Sequence, residues 1–274
     1  MAQTVKAEPA LLVERDGYLV TLTMNRPAVK NALNPEMLCR MADAWEIVEN
    51  DDDVRVVVLT GASGAFCAGA DLDQLIGRML KGLPPEDEFE KRCREDPQVI
   101  FKGLLRNFKI TKPLIAAVEG PCIAGGTEII QATDIRIAGE SATFGISEVR
   151  WGLFPMGGST VRLRRQIPFT KAMELLLTGD HYSAAQALEM GLIGRVVKDG
   201  AALDEAYKVA NRIAQNGPLA VRAIKRSVVE SEGLPEKEGL EIEQRIGQAV
   251  FASEDAREGP RAFKEKRPPQ FKGR

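Results

Sequence analysis

The stretch "KPLIAAVEGPCIAGGTEII", residues 112–130, decides how the rest of the chain is read. Its first nine residues carry the apolar and small side chains of a strand buried on both faces, the kind found in parallel sheets between helices. A glycine-bearing turn follows, and then an apolar run of helical character that contains two glycines and one acid, Glu128. Small residues let a ligand approach the main chain, and a helix N-terminus presents unpaired amides with a partial positive charge. A carboxylate is an awkward choice there for packing alone.

The same design occurs upstream. "VRVVVLTG" (54–61) has the β-branched density of a strand buried on both faces, and "GASGAFCAGADLDQL" (61–75) leaves it through small residues and enters a helix near Asp71. The spacing fits neither the GxGxxG dinucleotide fingerprint nor a phosphate loop, since no Lys-Ser or Lys-Thr pair follows the last glycine. Two such turns facing one another would form a two-donor pocket for a developing negative oxygen. Two tight turns with glycines that serve only packing would give the same pattern, and spacing leaves both readings open.

Outward from these turns the chain is orderly. "LLVERDGYLVTLTM" (11–24) reads as a hairpin about Asp16-Gly17, the dipeptide favoured in two-residue turns. Asn34 is a helix N-cap with Pro35 at the first helical position, and Met37, Met41, Trp45 and Val48 recur at helical spacing as a core stripe. "KGLPPEDEFEKRCREDP" (81–97) is charged and holds three prolines, which predicts a mobile surface segment with no more than a helical turn at the edge of a pocket. Ser183 with Gln186 forms a capping box for a helix closed by Gly191. From Leu203 the pattern is almost wholly helical, with a last short helix capped by Ser253. This gives a sheet-containing core over 1–200 and a helical region over 201–274, without internal repeats.

Composition narrows the chemistry. With 37 Lys+Arg against 39 Asp+Glu and a net charge of −2 over 274 residues, no global field favours nucleic acid or an anionic membrane. The local exception is "VRLRRQI", with Arg162, Arg164 and Arg165. The longest apolar stretches fall short of the roughly 20 residues that span a bilayer, and the opening "MAQTVKAEPA" lacks the apolar core of an export signal. A soluble cytoplasmic protein is expected. Cys39, Cys67, Cys93 and Cys122 are widely spaced without CxxC pairs, which predicts reduced thiols and no structural zinc. His181 is the single histidine and sits in a turn-like stretch, so it is expected to face solvent. Histidine triads and HExxH sites are therefore disfavoured, and proton chemistry falls mainly to carboxylates. The two acids near glycine-rich turns are Glu128 and Glu148, the latter in "FGISEVRWG". Either could be a buried structural acid paired with Arg136 or Arg150. Sharing one dry pocket, they would instead have separated pKa values, as a division into acid and base requires.

Taken in order, "NRPAVKNALN" (25–34), "FCAGADL" (66–72), "KPLIAAVEGPCIAGGTEI" (112–129), "FGISEVRWGLFPMGGSTVRL" (144–163), "ALEMGLIGRVV" (187–197) and "GPRAFKEKRPPQF" (259–271) resemble the enoyl-CoA hydratase/isomerase, or crotonase, family along almost the whole chain. The resemblance implies an α/β fold, a spiral core of ββα units with a helical C-terminal trimerisation region, assembled as a homotrimer or a dimer of trimers. It implies that the amides of Ala70 and Gly125 form an oxyanion hole for an acyl-CoA thioester, with Glu128 and Glu148 catalytic in syn hydration of a 2-enoyl-CoA. Ala28, Lys30, Ala68, Asp71 and Leu72 would lie along the CoA, mostly through main-chain contacts, and Gly126 and Trp151 would line the substrate. Phe263 and Lys266 would reach the CoA of a neighbouring subunit. No metal or redox cofactor is implied, because coenzyme A arrives with the substrate. The acyl group would be one met in fatty-acid or steroid side-chain β-oxidation, with segment 73–97 shaping its pocket. An isomerase, another acyl-CoA lyase or hydrolase of the family, and a non-catalytic RNA-binding relative are the alternative readings.

Overall fold

The computed structural model describes residues 8–274, and the start of the chain, on which the absence of an export signal was read, lies outside them in part. The hairpin predicted about Asp16-Gly17 forms as β1 (Leu11–Asp16) and β2 (Leu19–Met24). A 3-10 turn (Pro27–Val29) and helix α1 (Pro35–Asn50) follow, and the Asn34 side chain accepts from Met37 N as an N-cap should. Then come β3 (Val56–Gly61), a π-helical turn (Leu72–Gly77) running into α2 (Arg78–Leu80), α3 (Glu88–Glu95) and α4 (Gln98–Gly103). The decisive stretch supplies β4 (Leu114–Val118), β5 (Pro121–Ile123) and α5 (Gly125–Ile130). Beyond it lie β6 (Ile135–Gly139), β7 (Thr143–Gly145), a 3-10 turn (Glu148–Trp151), α6 (Ser159–Gln166), α7 (Phe169–Thr178), β8 (Tyr182–Ser183), α8 (Ala184–Glu189) and β9 (Arg195–Val197). Four helices complete the chain: α9 (Ala202–Ala214), α10 (Pro218–Ser231), α11 (Glu236–Phe251) and α12 (Glu254–Glu265).

The larger sheet has the order β1-β2-β3-β4-β6-β9, and every pairing except the β1/β2 hairpin is parallel. A smaller sheet, β5-β7-β8, stands apart from it, with β5 parallel and β8 antiparallel to β7. Strand β3 shows why its sequence is apolar throughout. Val57 and Leu59 enter the main core with Met37, Met41 and Trp45 of α1, whereas Val56 and Val58 face Ala202, Ala206 and Ala210 of α9. Successive side chains point to opposite faces, so both sets must be apolar. Helix α9 therefore closes one face of the sheet although it lies beyond residue 200, while α10 and α11 pack mainly on each other and expose Ile224, Val228, Leu240 and Phe251.

Segment 81–97 is more ordered than its composition suggests. Asp87 caps the two-turn helix α3 by accepting from Glu90 N at 2.7 Å, and the Glu90 carboxylate is gripped by Arg78 at 3.0 Å and by Arg94. Cys93 is buried against Cys39 of α1, sulfur to sulfur at 3.5 Å. Paired charges and one buried thiol fix its helical part, where a single turn was expected, while residues 81–88 lie exposed at the surface as their prolines and charges suggest. All four cysteines are free thiols. No helix among the described residues is long and apolar enough to cross a membrane.

Candidate active site

Both glycine-bearing turns converge. An added Cβ on Gly69 would stand 2.7 Å from Ala124 Cβ and 3.6 Å from Gly125 N, so the first turn lies in contact with the second. Gly69 has φ +96°, a conformation that L side chains rarely adopt. The turns are also stitched at Cys67 and Cys122, which form a parallel bridge, with Ile123 N donating to Cys67 O at 2.9 Å. Ala70 follows Gly69 and pairs with Leu33, whose carbonyl accepts from Asp71 N at 2.9 Å. Ala124, with φ 51° and ψ −121°, is strained for a residue with a side chain. Bonds on either side hold it: its N–H donates to Gly145 O at 2.7 Å and its carbonyl accepts from Glu128 N at 2.9 Å. The effect is to free the next amide, Gly125 N–H, at the start of α5. Among the described residues neither Ala70 N–H nor Gly125 N–H donates to another protein group.

Glu128 lies in the first turn of α5 and is 4 % exposed. Its Oε2 accepts from Gly157 N at 2.9 Å and its Oε1 from Ser159 N at 3.2 Å. Any side chain at 157 would collide with it, since a Cβ there would come within 2.5 Å of Oε2. Burial raises the pKa of Glu128, while the amide donors at 157–159 and the Ser159 hydroxyl pull it back. Gln131, one turn further along, bridges the helices by donating to Thr127 O at 3.0 Å and to Ser159 Oγ at 2.8 Å.

Glu148 opens the 3-10 turn after β7. Its Oε2 is buried without a hydrogen-bond partner. Burial first, and then the negative charge of Glu128, push its pKa up to about 7. Two carboxyls with different support are thus held within reach of each other's charge. Neither is in an ion pair among the described residues. Arg136 instead donates to Leu192 O at 2.8 Å and to Thr133 O at 3.2 Å, and the Arg150 side chain lies over Gly179. The structural-acid reading with Arg136 or Arg150 as partner is therefore set aside.

The remaining expected residues divide by position. Lys30 O accepts from Ala68 N at 2.9 Å, which fastens the 3-10 turn containing Ala28 to the first glycine turn. The Asp71 carboxylate is already used: it pairs with Arg26 at 2.9 Å and caps the π-helical turn at Asp73 N and Gln74 N. Leu72 beside it is half exposed. Gly126 is a packing glycine, whose Cβ would meet Cys67 O at 2.7 Å. Trp151 is 70 % exposed at the end of the turn that starts with Glu148, near the exposed Phe154 and Met156. Phe263 is 87 % exposed and Lys266 caps α12. That helix is fastened to the chain's end, where Asp255 accepts from Lys272 N and Gly273 N, and Glu258 holds Arg267. His181 is exposed as expected, yet its Nε2 is 2.9 Å from Ser147 Oγ, next to Glu148.

Sequence reasoning missed the amides of Gly157 and Ser159 that hold Glu128. The signal was present in "PMGGST", a glycine pair before a helix N-terminus, but nothing local says which acid it receives. No cluster of His, Cys, Asp or Glu suited to a metal occurs among the described residues.

Two adjoining turns with undonated amides, and two buried carboxyls that feel one another's charge, suit a class of enzymes that polarise a carbonyl oxygen and move protons next to it. The comparisons narrow this. A family model described as Enoyl-CoA hydratase/isomerase matches residues 14–274, and the chain belongs to that family. It is similar to the Mycobacterium tuberculosis protein named enoyl-CoA hydratase EchA19, 56% identical over 271 residues that cover 99% of both chains. It is also similar to the (E)-benzylidenesuccinyl-CoA hydratase of Thauera aromatica, 37% identical over 95% of this chain and 98% of that one. The crystal structure of an enoyl-CoA hydratase from M. tuberculosis superposes with a TM-score of 0.86 at 40% identity, covering 97% of this chain and all of that one. The α/β architecture is the crotonase fold.

Proposed function

We propose that this enzyme hydrates a 2-enoyl-CoA to a 3-hydroxyacyl-CoA by syn addition, with the amides of Ala70 and Gly125 as the oxyanion hole, Glu128 as base and Glu148 as acid. The observation that carries this reading is the unequal support of the two acids. Glu128 accepts two amide donors suited to a carboxylate, whereas Glu148 has a buried, unpartnered oxygen and a pKa raised to about 7. A carboxyl with that pKa keeps its proton for part of the time near neutral pH and can deliver it.

Two hydrogen bonds to the thioester oxygen draw electron density from C3 towards the carbonyl. Glu128 removes a proton from water as the water oxygen bonds to C3, and the electron pair of the C2=C3 bond takes a proton from Glu148 at C2. One water is added and no electrons are exchanged, so the step calls for no redox cofactor, and the two amides supply the carbonyl polarisation that a metal would otherwise give. The pair resets by proton exchange with solvent. CoA would run past the Ala28–Lys30 turn and Ala68, and the exposed Trp151 would meet the acyl group. The exposed apolar residues of α10 and α11, and Phe263 with Lys266 on α12, suit a trimer in which a neighbour completes the CoA site. A cytoplasmic setting agrees with four free thiols.

A panel of enoyl-CoAs, from crotonyl to long-chain and polycyclic, tests the reading by mass spectrometry. A mass gain of one water on at least one member is expected. Double-bond migration without that gain would instead assign an isomerase, and no reaction across the panel would overturn the proposal.

A further inference from the structure

The basic run "VRLRRQI" is not a uniform patch. Arg164 and Arg165 are exposed, whereas Arg162 turns inward in the first turn of α6. Its side chain folds over Gly158, with Cδ and Nη1 each 3.5 Å from where a Cβ on that glycine would stand. The Nη2 group donates to Leu105 O at 2.5 Å, and Nη1 is buried with no partner. Guanidinium stays charged in proteins, and a buried charge lacking a direct partner is unfavourable unless an opposite charge compensates it. Burial is indeed the main influence on Arg162, and the opposing negative charges are Glu128 first and Glu232 second. Glu232 is half exposed and already 3.4 Å from Arg165. Glu128 is buried, and the two residues before Ser159 connect the sites: Gly157 binds its carboxylate while Gly158 lies under the guanidinium.

We propose that Arg162 is a positioning residue whose charge, with its Nη1 buried beside the Gly157–Ser159 turn, adds to the amide donors in holding Glu128 as the carboxylate, and so helps set which of the two glutamates is the base. This rests on the reading of Glu128 as base given above. The charged groups around the pair are Glu148 from the 3-10 turn, Arg136 from β6, Arg106 after α4 and Glu232 after α10. Among these, Glu148 faces Glu128 and has no cation of its own. The amide donors at 157–159 and the Ser159 hydroxyl come first in favouring the ionised form of Glu128, and Arg162 adds a positive charge on the same side. It acts through space, since Glu128 receives its hydrogen bonds from amides.

The experiment is the pH profile of kcat/KM for hydration in the wild type, R162Q and R162K. Losing the positive charge disfavours ionised Glu128, so in R162Q the acid limb should move to higher pH by about half a unit or more. At neutral pH kcat should fall about tenfold with KM within about twofold, and R162K should restore most of both. R162M, whose apolar chain fills the space without burying an unpartnered polar head, is run alongside in case R162Q fails to fold. A uniform loss at every pH, with the limb unmoved, would overturn the proposal. Thermal unfolding supplies a second readout that does not depend on activity. The loss of stability from removing the Arg162 charge should be smaller in an E128Q background than in the wild type, and equal losses would refute the coupling. Full hydration activity in E128Q would overturn the base assignment itself, a result separable from the coupling seen in unfolding.

Discussion

The negative charge of Glu128 is, after burial, the largest influence that raises the pKa of Glu148 to about 7. The two carboxyls therefore respond to one another's ionisation while neither is neutralised by a salt bridge. Coupling of this kind is what lets identical side chains take opposite roles.

Replacing either glutamate by glutamine should lower kcat for hydration by about 10²- to 10⁴-fold. The affinity for a saturated acyl-CoA should stay within a few-fold, because the proposed CoA contacts lie elsewhere. Steady-state kinetics with calorimetric titration separates the two effects, and a loss confined to binding would count against both roles.

The raised pKa of Glu148 also predicts how stability varies with pH. A carboxyl whose pKa is higher when folded contributes stability that is fully present below its unfolded value, near 4.5, and is lost as pH rises through about 7. Removing the ionisable group should therefore stabilise the fold at pH 8, by at most about 3 kcal/mol, with no gain at pH 4. Urea unfolding of E148Q and wild type at the two pH values measures this. A gain of equal size at both would refute it.

Gly125→Ala should disable the proposed oxyanion hole at the cost of a shift in the buried Leu33 side chain. The new Cβ would stand 2.9 Å from the end of the Leu33 side chain, 3.8 Å from Gly69 Cα and 3.9 Å from Ala70 N, against the turn that carries the other amide. A loss of about 100-fold in kcat is expected, the scale of one missing donor. The infrared shift of the thioester carbonyl on binding should shrink in parallel, and an unchanged shift would move the oxyanion elsewhere.

Lys112 is a fully buried lysine that closes the end of α1, donating to Val48 O at 2.5 Å and to Asp51 O. Lys112→Met keeps the volume but leaves both carbonyls without this donor. A loss of about 2–3 kcal/mol is expected, visible as a lower midpoint in calorimetry, with kcat unchanged.

Legibility followed periodicity. The stripe Met37, Met41, Trp45 and Val48 and the alternation in β3 are local patterns, so the sequence alone predicts their elements. Helix α3 was obscured because its order comes from Asp87 as a cap, ion pairs on Glu90 and one buried thiol, in a segment whose composition reads as solvated. In the site, Glu128 betrayed itself by being an acid in an apolar run. The inward turn of Arg162 and the two amides at 157 and 159 had no such signature, because each depends on what α5 and α6 present to one another.

Ala124 occupies backbone space where glycine would rest more easily, pinned by Gly145 on one side and Glu128 on the other. Selection for heat tolerance would find an easy step there, exchanging the methyl for hydrogen and relaxing the peptide that aims Gly125. Such a lineage would gain robustness and lose turnover.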